Sequence, residues 1–386
     1  MPDLSFGWFL PTFGDTSAFG DERATIPPGN DLFDDVCTAA DEGGFQYLLM
    51  PVAPTCWEAT ILGAYYAART KRIAPLIAIR AGYVNPTQSA KMFATLDQIT
   101  NGRVAVNLIA GISDADTLAD GIPDDKTVRY EKLGEEAAIM KRLWTRDTPI
   151  DFTGKHYTVN QVIQPKPVQT PHPPFFLGGG SEQAADVSAQ HSTVHLFWGE
   201  RPSSVGESIA KLRAKAANYG RGDIIQFGMR MHVICRDSND EAWQAAHDLI
   251  RNAPRLADVE AFKGAGKEAI DAVARTSVAN QKVWKLLEES GNDMRIHPNI
   301  WTGISTVRVG AGIALVGGPK EIADTIEEYV AAGCTSFCLS GYPHATAARD
   351  FSEKVMQPYF GKRLRKGLPQ DRAADIDMLH KPTNRS

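Results

Sequence analysis

Short apolar runs alternate with amphipathic stretches along most of this chain. The run Leu4 to Leu10 is too short for a helix and stops at Pro11, so it reads as a strand, and a polar, Gly-rich loop from Gly14 to Asn30 follows. A first loop of that length suggests a functional one. Leu32, Val36 and Ala39/Ala40 then recur at helical spacing behind Asn30 or Asp31 as N-cap, and Gly43-Gly44 ends the helix. Gln46 to Val52 is the second strand. The same alternation predicts a helix over Cys56 to Thr70, a strand over Ala74 to Tyr83, a Pro-led helix over Pro86 to Thr100 and a fourth strand over Arg103 to Ala110. Strand and helix units at this density favour a parallel sheet.

Thr127 to Trp144 carries Leu133, Ala137, Ile139, Met140 and Leu143 on one side and predicts an amphipathic helix. Ile150 to Val162 reads as a hairpin turning at Gly154-Lys155, and a proline-rich connection leads to a fifth strand at Phe175 to Leu177. Val194 to Trp198, Ile225 to Cys235 and Thr335 to Ser340 supply three more strands, with helices over Val205 to Tyr219 and Ile322 to Ala332. Eight strands in such an alternation predict an α/β fold of the (β/α)8 (TIM) barrel type. We take 1–361 as one barrel domain, with an insertion at about 253–318 between strands seven and eight, and 362–386 as a charged tail without periodicity. The insertion includes the Gly-rich stretch TGISTVRVGAGIALVGG and is expected to act as a mobile lid; the tail is expected to fray or to pack on a second subunit.

Composition narrows the partners. The chain has 386 residues, 43% of them hydrophobic, enough for a barrel core, and 41 Lys+Arg against 46 Asp+Glu give a net charge of -5. No global basic field attracts nucleic acid or an acidic membrane, so a small molecule is the expected partner. The five cysteines (Cys37, Cys56, Cys235, Cys334, Cys338) form neither a CxxC nor a Cys/His zinc spacing, which fits a reduced, cytoplasmic setting. Asp3 and Pro11 make the start a poor signal peptide, and no apolar run has the length of a membrane helix.

In a barrel, the carboxyl ends of all strands face one mouth. Those ends carry Cys56, Arg80, Asn107, Trp198, Arg230, His232, Tyr342 and His344. Arg230 and His232 lie two apart on a strand and point to one face, with Met231 turned the other way. An unpaired buried cation is costly, so they are expected to meet an anion; the alternative is an arginine paired with a carboxylate inside the barrel. Leu177 to Ala185 (LGGGSEQAA) runs from strand through Gly178, Gly179, Gly180 and Ser181 into a helix, a geometry suited to phosphate, although a tight turn with Ser181 as N-cap gives the same string. His191 and His195 straddle a helix end and a strand start, so no metal site is expected from them. Cys334 and Cys338 read as core residues, while Cys56 is either a reactive thiol or simply a small side chain.

These motifs together resemble the reduced-FMN-dependent alkanesulfonate monooxygenases of the bacterial-luciferase-like superfamily. The likeness covers most of the chain: FGWFLPTFGD, PTCWEA, ATLDQITNGRVAVNLIAG, RYEKLGEEA, PPFFLGGGS, FWGE, GMRMHVI, NDEAWQAA, VRVGAGIALVG and LSGYPH. Cys56, Arg230 with His232, Arg308 and Tyr342-Pro343-His344 are the part specific to desulfonation. The resemblance implies that Arg230, Arg308 and Trp198 hold the sulfonate or line its pocket, with His344 close by. His232, Tyr342 and Cys56 would stand at the reactive face of the flavin. Asn107 would touch the flavin ring, and Tyr130 with Gly179, Gly180 and Ser181 would take the FMN phosphate. The implied reaction converts reduced FMN, O₂ and an organosulfonate into an aldehyde, sulfite, oxidised FMN and water. Reduced FMN would come from a separate NAD(P)H-dependent reductase, since no dinucleotide fingerprint is present. The resemblance also implies a homo-oligomer, a dimer or a pair of dimers, and a lid whose Arg308 closes over the site and excludes water.

His232, Tyr342 or an arginine is the candidate proton carrier. The stretch GISDADTLADGIPDDK, the IRAGYVNP end of strand three and the long tail depart from the family pattern, leaving room for a bulkier sulfonate such as a sulfosugar. Three other readings compete: a luciferase-like monooxygenase acting on a sulfone or nitrogen heterocycle, a deazaflavin-dependent dehydrogenase, and a non-catalytic flavin-binding barrel.

Overall fold

A computed structural model describes residues 1–111, 113–254 and 277–371. Eight parallel strands close on themselves: β1 (Ser5–Phe9), β2 (Tyr47–Met50), β3 (Ala74–Arg80), β4 (Ala105–Ile109), β5 (Phe175–Gly178), β6 (Val194–Trp198), β7 (Gln226–Cys235) and β8 (Ser336–Ser340). Each pairs with the next, and β8 returns to β1 through the register Ser5 with Ser336 to Trp8 with Leu339. The chain is therefore the expected (β/α)8 barrel. Helices follow the strands where the pattern placed them, and Pro86–Thr100 matches its sequence limits because Asn85 caps one end, accepting from the Thr87 N–H at 2.9 Å, and Asn101 at φ 54° closes the other.

The hairpin after the helix Lys126–Thr145 forms from Ile150–Thr153 and Thr158–Gln161. Between β7 and β8 the chain makes more regular structure than its glycines suggest. The helix Asn239–Ile250 opens with a capping box between Ser238 and Glu241. Beyond it stand the helix Val278–Glu289, the short strands Arg295–His297 and Ile300–Trp301, and the strand Ala314–Gly317. That last strand runs parallel to the second half of β7, His232 with Ala314 to Cys235 with Gly317, so the carboxyl end of the Gly-rich stretch is fixed in the sheet. Residues 255–276 of the expected insertion lie outside the described residues.

The first part of the charged tail, up to Asp371, packs on its own barrel. Leu364 bridges Leu4 in parallel, and Leu368 packs with Tyr47, Ala74, Ala105, Phe176 and Val194 at the amino-terminal floor of the barrel. Asp371 is buried there, its Oδ2 3.1 Å from Lys141 Nζ, 3.3 Å from Arg221 Nη1 and 3.5 Å from His172 Nε2. Beyond the 3-10 turn Gly361–Arg363 the segment up to Asp371 makes no helix, which leaves no helical period in the sequence. Residues 372–386 lie outside the described residues.

Candidate active site

The mouth at the carboxyl ends of the strands opens into a cavity of about 760 Å³, within the usual size of ligand sites. Every strand, or the loop that follows it, contributes to the wall. Phe9, Cys56, Ala78, Asn107, Trp198 and Arg230 come from the strand ends, and the long first loop adds Phe13, Asp15 and Pro28. Its Asp15–Thr16 and Thr25–Ile26 pair as a small antiparallel ribbon, which gives that loop a fixed shape.

Strand alternation delivers Arg230 to the cavity as the sequence implied. Its Nη1 donates to Met231 O and to Ser340 Oγ, each at 2.9 Å, and its guanidinium lies 4.7 Å from the Phe9 ring centre. Arg308 reaches the same cavity from the turn between the 3-10 helix Gly303–Thr306 and the strand Ala314–Gly317. It donates to the Tyr342 hydroxyl and stands 5.8 Å from the Phe13 ring centre. Among the described residues neither arginine has a carboxylate partner. Arg80 differs: Asp120 lies at 2.5 Å and Asp116 at 3.5 Å, so its charge is matched within the β3 and β4 loops and it does not line the cavity. The internal ion pair weighed for Arg230 is thus found at Arg80 instead.

Both candidate histidines sit deeper than expected. Neither His232 nor His344 lines the cavity; Tyr342 does, and its ring stacks on His232 at 5.3 Å and meets His344 edge-on at 5.0 Å. His344 Nδ1 bonds Asp15 Oδ1 at 2.8 Å, and its backbone N–H donates to Asp15 Oδ2 at 2.6 Å, tying the last βα loop to the first. His232 Nδ1 is 2.8 Å from Ser340 Oγ, and its Nε2 is buried without a hydrogen-bond partner of good geometry among the described residues, the Ala311 backbone lying close to the ring. Burial, then the neighbouring Arg230 and Arg308, hold the His232 imidazole well below its ordinary pKa, so it is neutral. A neutral ring tolerates this dry position, whereas an imidazolium beside two guanidiniums does not.

Cys56 lines the cavity half-buried. Burial pushes its thiol up, more than Thr12 and Arg80 draw it down, so it is a neutral thiol rather than a ready nucleophile. Trp198 and Asn107 border the cavity as expected.

The glycine-rich turn after β5 forms another part of the wall. Gly179 has φ +145°, and a Cβ there would come within 2.9 Å of the Ala184 side chain and 3.5 Å of the Tyr130 hydroxyl. Only glycine permits that path. Ser181 Oγ caps the helix Glu182–His191 by accepting from the Ala184 N–H at 3.2 Å, so helix N-terminus, bare backbone and the half-buried Tyr130 phenol, whose pKa burial raises, face one space. The turn with Ser181 as N-cap is what the geometry shows, and the same turn borders the cavity. His195, weighed as one of a histidine pair, is bonded through Nδ1 to Ser188 Oγ at 2.9 Å. No group of three metal-type side chains occurs among the described residues.

Several wall residues escaped the sequence reading. Phe9 and Phe13 place aromatic faces against the two arginines, and Asn280, at the start of the helix Val278–Glu289, borders the cavity while itself buried. A strand-end position marked Phe9; Asn280 is distant in sequence from any motif and carried no signal.

A closed β/α barrel with a strand-end cavity, bordered by two guanidiniums that have no carboxylate partner among the described residues and by a glycine-rich turn at a helix N-terminus, has the form of an enzyme site. The family model for luciferase-like monooxygenases matches residues 4–336, and the chain belongs to that family. Solved structures agree on the fold. EDTA monooxygenase (EmoA) from Chelativorans sp. BNC1 superposes with a TM-score of 0.72 at 15% identity, covering 98% of each chain. DmoA from Hyphomicrobium sulfonivorans gives 0.72 at 19%, covering 97% of this chain and 92% of its own. An F420-dependent secondary alcohol dehydrogenase gives 0.63 at 19%, covering 93% of this chain and 99% of its own. Identities this low speak to the fold, and the spread of chemistries among these proteins leaves substrate and cofactor to the residues.

Proposed function

We propose that this protein is a two-component, reduced-FMN-dependent monooxygenase that cleaves the C–S bond of an organosulfonate, releasing an aldehyde and sulfite. The observation that carries the reading is the pair Arg230 and Arg308, cationic, without carboxylate partners among the described residues, and bordering one cavity with a helix-capped glycine turn. A sulfonate is a permanent anion with three acceptor oxygens, which suits guanidinium forks. The turn Gly178–Ser181 with Tyr130 has the donors and the open backbone that a flavin phosphate needs, and Asn107 and Cys56 line the same cavity and would border the ring system. Bound there, reduced FMN supplies the activation of O₂.

The protein's part is to bind, orient and dry the site. Arg230, Arg308 and Trp198 hold the sulfonate. Phe9 and Phe13 shield the guanidiniums and strengthen their field. The Tyr342 hydroxyl, accepting from Arg308, is poised to hand a proton to, or take one from, the reacting carbon or oxygen. His232 and His344 support that ring from behind. The turn Val307–Gly312 is the segment of the insertion whose closure would exclude water.

The supply of reduced FMN falls to a separate NAD(P)H-dependent reductase. An exposed apolar stripe on and beside the helix Ala59–Arg69, Trp57 at 44%, Ile61 at 71% and Tyr65 at 43%, supports a homo-oligomer. Among the described residues no helix is long and apolar enough to cross a membrane.

Reduced FMN and oxygen supplied with a panel of short alkanesulfonates and sulfosugars test the reading by sulfite release. We expect sulfite from at least one class, and silence from the whole panel would sink the proposal. Tighter binding of a deazaflavin than of reduced FMN would favour a dehydrogenase instead.

A further inference from the structure

Between Arg230 and His232 stands a hydroxyl to which the site's chemistry assigns no role so far. β7 and β8 pair in register, His232 opposite Ser340 and Arg230 opposite Cys338. Alternation turns Arg230 and His232 to one face of β7, and Ser340 sits across from the second of them on the neighbouring strand. Ser340 is fully buried, and its Oγ is 2.9 Å from Arg230 Nη1 and 2.8 Å from His232 Nδ1.

Valence fixes one link of this chain, and the tautomer of His232 follows from the direction in which the serine proton points. A guanidinium has only donors, so Ser340 Oγ accepts from Arg230. The single Ser340 O–H then has one acceptor among its two neighbours, the lone pair of His232 Nδ1. With Nδ1 accepting, the neutral imidazole carries its proton on Nε2. On the other side, Arg230 spends its Nη1 on Ser340 Oγ and Met231 O, which leaves the Nε/Nη2 edge without a protein partner among the described residues at the cavity wall. Two parallel N–H groups on that edge match two oxygens of a tetrahedral or trigonal anion.

We propose that Ser340 is a positioning residue that couples the two functional groups: its hydroxyl turns the Nε/Nη2 edge of Arg230 toward the cavity and fixes His232 as the Nε2–H form. This rests on reading the mouth as an anion site, but the hydrogen-bond order within the triad is a separate matter. An anion arriving at Arg230 weakens the same cation's repulsion on His232, so binding and imidazole basicity are linked through one serine. Arg308, His344 and Tyr342, whose ring stacks on His232 at 5.3 Å, are the other charged or titratable groups near His232, and among the described residues none of them is hydrogen-bonded to Ser340.

The test uses the full chain with ¹⁵N-labelled histidine, and with ethanesulfonate as the anion probe. In the wild type His232, assigned by comparison with His232→Asn, should show a bonded, unprotonated Nδ1 and a protonated Nε2 throughout pH 6 to 8. Ser340→Ala should remove the Nδ1 hydrogen-bond signature and weaken ethanesulfonate binding about tenfold, the worth of one hydrogen bond to a charged group. Ser340→Thr, which keeps the hydroxyl, should restore both, whereas Ser340→Cys, nearly the size of serine but a poor donor, should not. An unchanged His232 spectrum in Ser340→Ala overturns the proposal, as does equal weakening in Ala and Thr variants of unchanged melting temperature. Should ethanesulfonate fail to bind even the wild type, the anion reading fails, and the nitrogen signals alone decide the role of Ser340.

Discussion

The two ends of this barrel hold similar cations in opposite states. At the floor, the cations Lys141 and Arg221 converge on Asp371, a carboxylate from the same chain, with His172 beside it held below its ordinary pKa by burial and by Lys141. At the mouth, Arg230 and Arg308 converge on a cavity where neither has an ion-pair partner among the described residues, the one carboxylate in the cavity wall, Asp15, being bonded to His344. Burial penalises charge at both ends alike, so the contrast lies in where the counter-charge comes from. A site whose counter-charge is built in is a structural one. One whose counter-charge is missing is made to receive it from a ligand.

Asp371→Asn offers the largest expected effect. It strands buried cations at the floor and should cost about 3–5 kcal/mol in denaturant unfolding. A loss below roughly 1 kcal/mol would mean the floor cluster is not a structural clasp. Arg230→Met inverts the outcome. Sulfite release should fall about 10²–10³-fold while unfolding free energy stays within about 1 kcal/mol of the wild type or rises, because the change removes an unpaired buried charge. A large stability loss there would erase the distinction between the ends.

Arg308→Ala should lower sulfite yield roughly tenfold and raise hydrogen peroxide, since a less enclosed mouth admits water. An unchanged ratio of sulfite to peroxide would remove Arg308 from the closing turn. The smallest effect concerns acid. Burial alone would raise the Asp371 carboxyl, but Lys141 and Arg221 outweigh it and hold the group well below its ordinary range. A depressed folded pKa means its stabilisation is complete above the unfolded value of about 3.9 and is lost as pH falls toward the folded one. The wild type should therefore lose about 1 kcal/mol more than Asp371→Asn between pH 5 and pH 3 in urea titrations.

Much of the barrel was legible because strand and helix periods are local. Leu4 to Leu10, Pro86 to Thr100 and Val194 to Trp198 announce themselves within their own residues, and alternation at Arg230-Met231-His232 correctly sends Arg230 inward. The glycines of LGGGSEQAA likewise mark a strained turn that the Gly179 backbone adopts. What escaped is non-local. The strand Ala314–Gly317 hides in a Gly-rich string because its partner is the far half of β7. Asp371 sits in a tail that reads as solvent-exposed until the floor of the barrel supplies its cations. His232 looks like a group in contact with the ligand until Tyr342 is seen packed against it.

By itself, then, the sequence determined the order of elements, the closed parallel sheet and the gathering of strand-end side chains at one mouth, since those depend on local period and on the geometry every such barrel shares. Only the tertiary structure decided which charges are spent and which are free. Arg80 with Asp120, the floor cations with Asp371, and Arg230 with Ser340 are separated by 40, by up to 230, and by 110 positions along the chain. Hydrogen bonding and ion pairing act over a few ångströms of space with no regard for that separation.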